Sequence, residues 1–174
     1  PYLLSSWSWN FGDGNTDTVQ SPVHSYSGLG PYTVRLEVED QFGCRDTIIK
    51  TNFVSLFDPQ VDFTLSRTQG CPGVSVTFTG SASVDTSVAN WFWDFGDGQI
   101  GFGQTTSHTY NNPGQYTVGL VIQTVVGCIA RQSKVNVIQV FEAPNAGFEA
   151  IPPAGCTPFA TQFQDTSSTG SAAI

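Results

Sequence analysis

Trp91-Phe92-Trp93-Asp94-Phe95-Gly96-Asp97-Gly98 decides how this chain folds. Trp91, Trp93 and Phe95 alternate, so they share one face of a strand and Phe92 points to the other. The Gly-Asp-Gly that follows supplies the positive φ angles of a tight hairpin. The same stretch stands 84 positions earlier as Trp7-Ser8-Trp9-Asn10-Phe11-Gly12-Asp13-Gly14. His24-Ser25-Tyr26 and His108-Thr109-Tyr110 keep that offset without a gap. So do Tyr32-Thr33-Val34 with Leu36 and Tyr116-Thr117-Val118 with Leu120, then Gly43-Cys44 and Gly127-Cys128. A second set, Phe63, Cys71 and Phe78, returns as Phe148, Cys156 and Phe163 at an offset of 85. Such self-similarity marks tandem modules.

The phase of the repeat divides the chain into residues 1–57, the later part of one module, 58–141, a complete module, and 142–174, the opening part of a third. The junctions, Phe57-Asp58-Pro59 and Phe141-Glu142-Ala143-Pro144, are short and stiffened by proline. They are expected to stack the modules as a semi-rigid rod. Pro1-Tyr2-Leu3-Leu4 has neither a basic region nor a cleavage site, so the chain is expected to open inside a mature domain.

Within 58–141 the apolar period is two throughout. Val61 and Phe63 open one strand, and Val74, Val76 and Phe78 alternate along the next. Thr105–Tyr110 forms another, Tyr116, Val118, Leu120 and Ile122 line a further one, and Ile129–Val140 closes the module. Seven or so short strands in ~84 residues argue an all-β, two-layer sandwich. No segment has the pattern of a helix.

Composition agrees. The 174 residues include 13 Phe, 4 Trp and 5 Tyr, enough apolar surface to build a core, with 18 Gly and 10 Pro for turns. Fourteen acidic against six basic residues leave a formal charge of −8, which gives no means of gripping nucleic acid or an anionic membrane. No apolar run approaches the ~20 residues that cross a bilayer. Four cysteines without a Cys-x-x-Cys, and few lysines, fit a secreted chain.

Taken together, Trp-x-Phe-Gly-Asp-Gly, His-x-Tyr and Pro-Gly-x-Tyr-x-Val-x-Leu resemble the PKD (polycystic kidney disease) domain, an immunoglobulin-like β-sandwich. The resemblance covers the whole middle module and both partial ones. It implies structural roles for Trp9, Asp13, His24, Tyr26 and Tyr32, and for their counterparts Trp93, Asp97, His108, Tyr110 and Tyr116. The preceding module departs with Asn10 in place of Asp94 and Leu29-Gly30 in place of Pro113-Gly114. The placing of Gly70-Cys71-Pro72 and Gly127-Cys128 is similar to tandem PKD arrays of secreted surface proteins in Bacteroidota.

An immunoglobulin-like path puts Cys71 and Cys128 at opposite poles, roughly 25 Å apart, far beyond the reach of one disulfide. The expectation is therefore an inter-module staple, with Cys44, Cys71, Cys128 and Cys156 pairing to partners outside this sequence. A Cys71–Cys128 pair inside the module and free thiols are the alternatives. Asp94 and Asp97 form either a hairpin turn or a two-carboxylate Ca²⁺ site; Asn10 removes one charge of the supposed pair in the preceding module. Each histidine is expected to anchor its module by a buried hydrogen bond, since no nucleophile or ligand set accompanies it. Phe92 and Phe102 are candidates for stacking on a sugar. Asp17-Thr18-Val19 and Asp46-Thr47-Ile48 resemble the Asp-Thr-hydrophobic acceptor of O-glycosylation in Bacteroidota, which makes Thr18 and Thr47 candidate sites.

The resemblance implies an extracellular, non-catalytic segment without a cofactor, forming the stalk or fibre of an adhesin. Its partners would be neighbouring PKD-like modules, surface polysaccharide or other cells, with no nucleic acid and no membrane insertion. The alternative is an accessory, substrate-presenting or carbohydrate-binding module of a secreted polysaccharide hydrolase or protease.

Overall fold

A computed structural model describes residues 3–83 and 87–170 of the chain; Pro1 and Tyr2, quoted above, lie outside the described residues. Fourteen strands and no helix occur among them. The chain divides into two compact units, Pro1–Asp58 and Pro59–Ile174.

The first unit is a single sheet. β1 (Leu4–Asn10), β2 (Thr16–Asp17), β3 (Tyr32–Asp40) and β4 (Arg45–Val54) lie in the order β2-β1-β3-β4, all antiparallel. Val34, Leu36 and Val38 alternate along β3 and give it one apolar face. Asp40 closes the β3–β4 turn by accepting the backbone N–H groups of Phe42 at 2.8 Å and Cys44 at 3.0 Å. Among the described residues this unit has no second sheet; Trp9, Val34 and Leu36 are half-buried and Ile48 and Phe53 exposed.

The second unit contains two sheets that close on one another. β5 (Gln60–Leu65), β7 (Val74–Ser83) and β10 (Thr105–Tyr110) form one, in the order β10-β7-β5. The other runs β6-β12-β11-β8-β9, from β6 (Gln69–Gly70), β8 (Val88–Asp94), β9 (Ile100–Phe102), β11 (Gly114–Thr124) and β12 (Ile129–Val140). Every second residue of β7 from Val74 to Gly80 is buried, as expected of a strand with one face on the core. Phe63, Val76 and Phe78 from the first sheet meet Trp93, Val118, Leu120, Ile122 and Ile138 from the second, all with no exposed surface. The Phe63 ring stands edge-on to Trp93 at 5.3 Å and Phe78 tilts against it at 5.6 Å. Gly80 leaves room for the Trp91 ring, which an added Cβ would meet at 2.4 Å.

After β12, β13 (Phe148–Ile151) and β14 (Gln162–Asp165) form a separate two-stranded hairpin. It pairs Phe148 with Asp165 and Ala150 with Phe163. Shifted by 85 positions, these are the pairs Phe63–Gly80 and Leu65–Phe78 of β5 and β7. The hairpin therefore repeats the opening strands of the sandwich, with Phe148 and Phe163 mostly exposed.

Candidate functional site

The motif residues converge on the β8–β9 hairpin. Asp94 accepts the Gly96 N–H at 2.9 Å and Asp97 accepts the Gln99 N–H at 3.0 Å, which fixes the turn from within. Gly96 sits at φ +81° with Thr117 O only 2.3 Å from where a Cβ would stand, so no other residue fits. The second oxygen of Asp97 lies 2.7 Å from His108 Nε2 on β10. The His108 ring stacks flat on Phe95 at 4.2 Å and meets Tyr110 edge-on at 4.7 Å. Tyr110 then donates its hydroxyl to Phe95 O at 3.0 Å. Burial first, then the charge of Asp97, pushes the Tyr110 phenol well above its ordinary value. This network joins the two sheets: Asp97 and Phe95 belong to the β8–β9 side, His108 and Tyr110 to β10.

The first unit repeats the constellation. His24 Nε2 lies 2.7 Å from Asp13 Oδ2, the His24 ring stacks on Phe11 at 4.0 Å, and Tyr26 donates to Phe11 O at 3.2 Å. Burial works to raise the Asp13 carboxyl, but the hydrogen bonds from His24 and from Asn15 outweigh it and hold Asp13 at about 2. Trp9 and Trp93 each donate Nε1–H to a backbone carbonyl ten residues on, Val19 O at 3.1 Å and Gly103 O at 2.8 Å. Tyr32 packs on Tyr26 at 4.5 Å, as Tyr116 does on Tyr110 at 4.5 Å.

One participant carries no signal in the tryptophan motif. Lys134 on β12 donates to Phe63 O at 2.6 Å, pairs with Asp62 at 3.0 Å and lies over the Phe63 ring at 4.7 Å. The hydrogen bond from Lys134, followed by one from the Phe63 backbone, holds the Asp62 carboxyl below its usual range. Its counterpart 84 positions earlier is Lys50, which lies over Phe53 at 4.4 Å. The repeat of a lysine in a lysine-poor chain was the available clue.

The remaining candidates are dispersed. Asp94 and Asp97 engage their own loop, and among the described residues no three or more His, Cys, Asp or Glu gather as for a metal ion. Cys71 follows β6, whose Gly70 pairs with Val140, while Cys128 precedes Ile129 at the other end of the 12-residue β12. At ~3.3 Å per residue the two lie roughly 30 Å or more apart. All four cysteines are free, with Cys44, Cys71 and Cys156 exposed. Phe92 and Phe102 are cross-strand partners on the outer face, with ring centroids 5.7 Å apart and 37% and 68% exposed. Beside Phe92 runs a groove of about 450 Å³ whose walls include Asp94, Arg131 and Gln132. Thr18 and Thr47 are exposed, each after an aspartate that accepts its backbone N–H.

Comparison with known proteins agrees with this repeat. The family model for the PKD domain matches residues 3–54 and 57–140. Polycystin-1 of Homo sapiens is 33% identical over 159 residues, 87% of this chain and 3% of that protein. Collagenase ColA of Bacillus cereus is 44% identical over 55 residues, 32% of this chain and 6% of that enzyme. The crystal structure of the PKD1 domain from the Vibrio cholerae metalloprotease PrtV matches at 26% identity and a TM-score of 0.41, covering 48% of this chain and 98% of that domain. The chain thus spans only a small part of the full-length relatives it matches.

Proposed function

This chain belongs to the PKD domain family, and from that premise we propose that it is a non-catalytic structural segment of the stalk or fibre of an extracellular adhesin-like protein. One observation carries the reading. The polar groups that suggest chemistry, Asp97, His108 and Tyr110, are engaged in joining two sheets, and Asp13, His24 and Tyr26 make the same side-chain contacts in the first unit. A side chain so engaged holds shape instead of turning over a substrate. Short proline-bearing junctions would set the spacing of successive modules. The acidic surface would keep a long repetitive chain soluble. The exposed cysteines remain available for staples to partners beyond this sequence, and Thr18 and Thr47 for glycosylation.

Pulling single molecules of the chain by its ends tests the reading. The expected trace contains one discrete, recurring unfolding peak from the closed sandwich. A trace that extends with no force peak would overturn a load-bearing role.

A second reading has its own observation. Phe92 and Phe102 present adjacent aromatic surface beside the groove that contains Arg131, and relatives of the chain include collagenases and a metalloprotease. The segment would then present a polymer to a catalytic domain, with the two rings stacking on sugar faces. Retention on insoluble polysaccharide that disappears in a Phe92→Ala, Phe102→Ala variant supports this second reading; no retention by the unaltered chain removes it.

A further inference from the structure

Phe92 and Phe102 stand on the face of the five-stranded sheet that is turned away from the core. The register carries a row from them straight across the sheet: Phe102 opposes Phe92, Phe92 opposes Val121, and Val121 opposes Arg131. At ~4.8 Å between neighbouring strands the row is roughly 14 Å long. The next row places Gly119 between Asp94 and Ser133. Gly119 thus leaves the groove beside Phe92 without a side chain on its floor.

The backbone does not require that glycine. Its φ is not positive, and an added Cβ would meet nothing closer than Asp94 Cβ at 3.9 Å, an ordinary contact. A glycine inside a strand forfeits packing and order, and it marks a place where another group approaches closely. The charge on Asp94 is likewise surplus to the fold. One of its oxygens accepts the Gly96 N–H at 2.9 Å, but Asn10 does the same for Gly12 at 2.9 Å without a charge. The other Asp94 oxygen and the Arg131 guanidinium have no hydrogen-bond or ion-pair partner among the described residues.

The first unit puts the same face to other use. Its residues 84 positions earlier are Ser8 for Phe92, Thr18 for Phe102, Arg35 for Gly119 and Glu37 for Val121. Arg35 pairs with Glu37, which also reaches Arg45 at 3.5 Å. The sheet therefore forms without the aromatic pair, the glycine or the open groove, and these answer to something other than the core.

We propose that the groove binds an uncharged polysaccharide laid across the strands, its C–H faces on Phe92 and Phe102 and its hydroxyls between Asp94 and Arg131. The inference rests on the sugar-binding reading above and adds the charge class of the ligand and the residues that read it. A carboxylate accepts hydrogen bonds and a guanidinium donates them, so the two together serve both roles of a hydroxyl group. Their backbones stand two strands, ~10 Å, apart with Gly119 on the strand between, which leaves room for one sugar chain. An anionic polymer seeking Arg131 meets Asp94 and a net charge of −8. A cationic one seeking Asp94 meets Arg131. A ligand without charge avoids both penalties.

Titration calorimetry of the whole 174-residue chain tests the proposal, with soluble β-glucan, galactomannan and starch as neutral polymers, polygalacturonate as the anionic one and chitosan as the cationic one. At least one neutral polymer is expected to bind, with an affinity unchanged between roughly 50 and 500 mM salt. Phe92→Ala should weaken binding about ten-fold. Asp94→Asn keeps the turn bond, as Asn10 does, and Arg131→Met keeps the stem; each should weaken binding about five-fold. Gly119→Val fills the floor and should abolish binding while the melting temperature holds or rises, since valine suits a strand. Preference for a charged polymer that grows as salt falls would overturn the inference and leave the sugar-binding reading standing. So would neutral binding untouched by the Gly119, Asp94 and Arg131 variants. Binding of none of the polymers would remove both.

Discussion

His108 Nε2 and Asp97 Oδ2 meet at 2.7 Å across the two sheets of the closed sandwich, with the imidazole stacked flat on Phe95. The pair ties a hairpin on one layer to a strand on the other, and both side chains are largely shielded from water. Removing Asp97 leaves a buried ring nitrogen without its partner. Asp97→Ala should cost about 1.5–3 kcal/mol, read as a lower urea midpoint with an unchanged m-value. An unchanged midpoint would show that the bond does not hold the layers together.

Asp13 gives the first unit an acid limit. Its carboxyl is held at about 2 in the folded state against 3.8 ordinarily, so below pH 4 the unfolded chain binds the proton first. The stabilisation is complete above the ordinary value and declines as pH falls from about 4 to about 2. An NMR titration should place the Asp13 carboxyl midpoint near 2. In Asp13→Asn this part of the acid slope should be missing at every pH. A wild-type midpoint near 3.8 would contradict the His24 contact.

Lys134 fastens the first strand of the sandwich. Lys134→Met should cost about 1 kcal/mol, the bond being partly exposed, and move the Asp62 carboxyl up toward its usual range. Amide exchange in β5 should quicken before that in β11. A shift in Asp62 without faster exchange in β5 would reduce the lysine to a surface charge.

Gly96 has no substitute. With φ +81° and Thr117 O at 2.3 Å from an added Cβ, Gly96→Ala should cost at least about 2 kcal/mol. Gly98 has a similar φ of +87° and open space around it, so Gly98→Ala should cost clearly less. Equal melting temperatures for the two variants would contradict the crowding argument.

Much of the fold was legible in the sequence because alternation and turn chemistry are local. Ile129–Val140 and Thr105–Tyr110 fall where the period and the turn residues place them. Pairing is what local pattern cannot reveal. His24-Ser25-Tyr26 has the motif of β10 yet forms no strand, and among the described residues nothing pairs with it as β7 pairs with β10. Phe148 and Phe163 repeat the positions of Phe63 and Phe78, which are buried, and are themselves exposed. The Lys50–Lys134 repeat marks the position, but not the contact: the acceptor, Phe63 O, lies 71 residues away and a carbonyl leaves no mark on the sequence.

Hydrogen exchange on the whole chain tests most directly whether β5–β12 form one closed unit. Amides beside Phe63, Val76, Trp93, Leu120 and Ile138 should exchange through a single opening of shared free energy and shared denaturant dependence, with those of β13 and β14 exchanging faster. Independent opening of β5 and β7 from β8, β11 and β12 would show that the two sheets do not share a core, and the structural role argued here would fall with it.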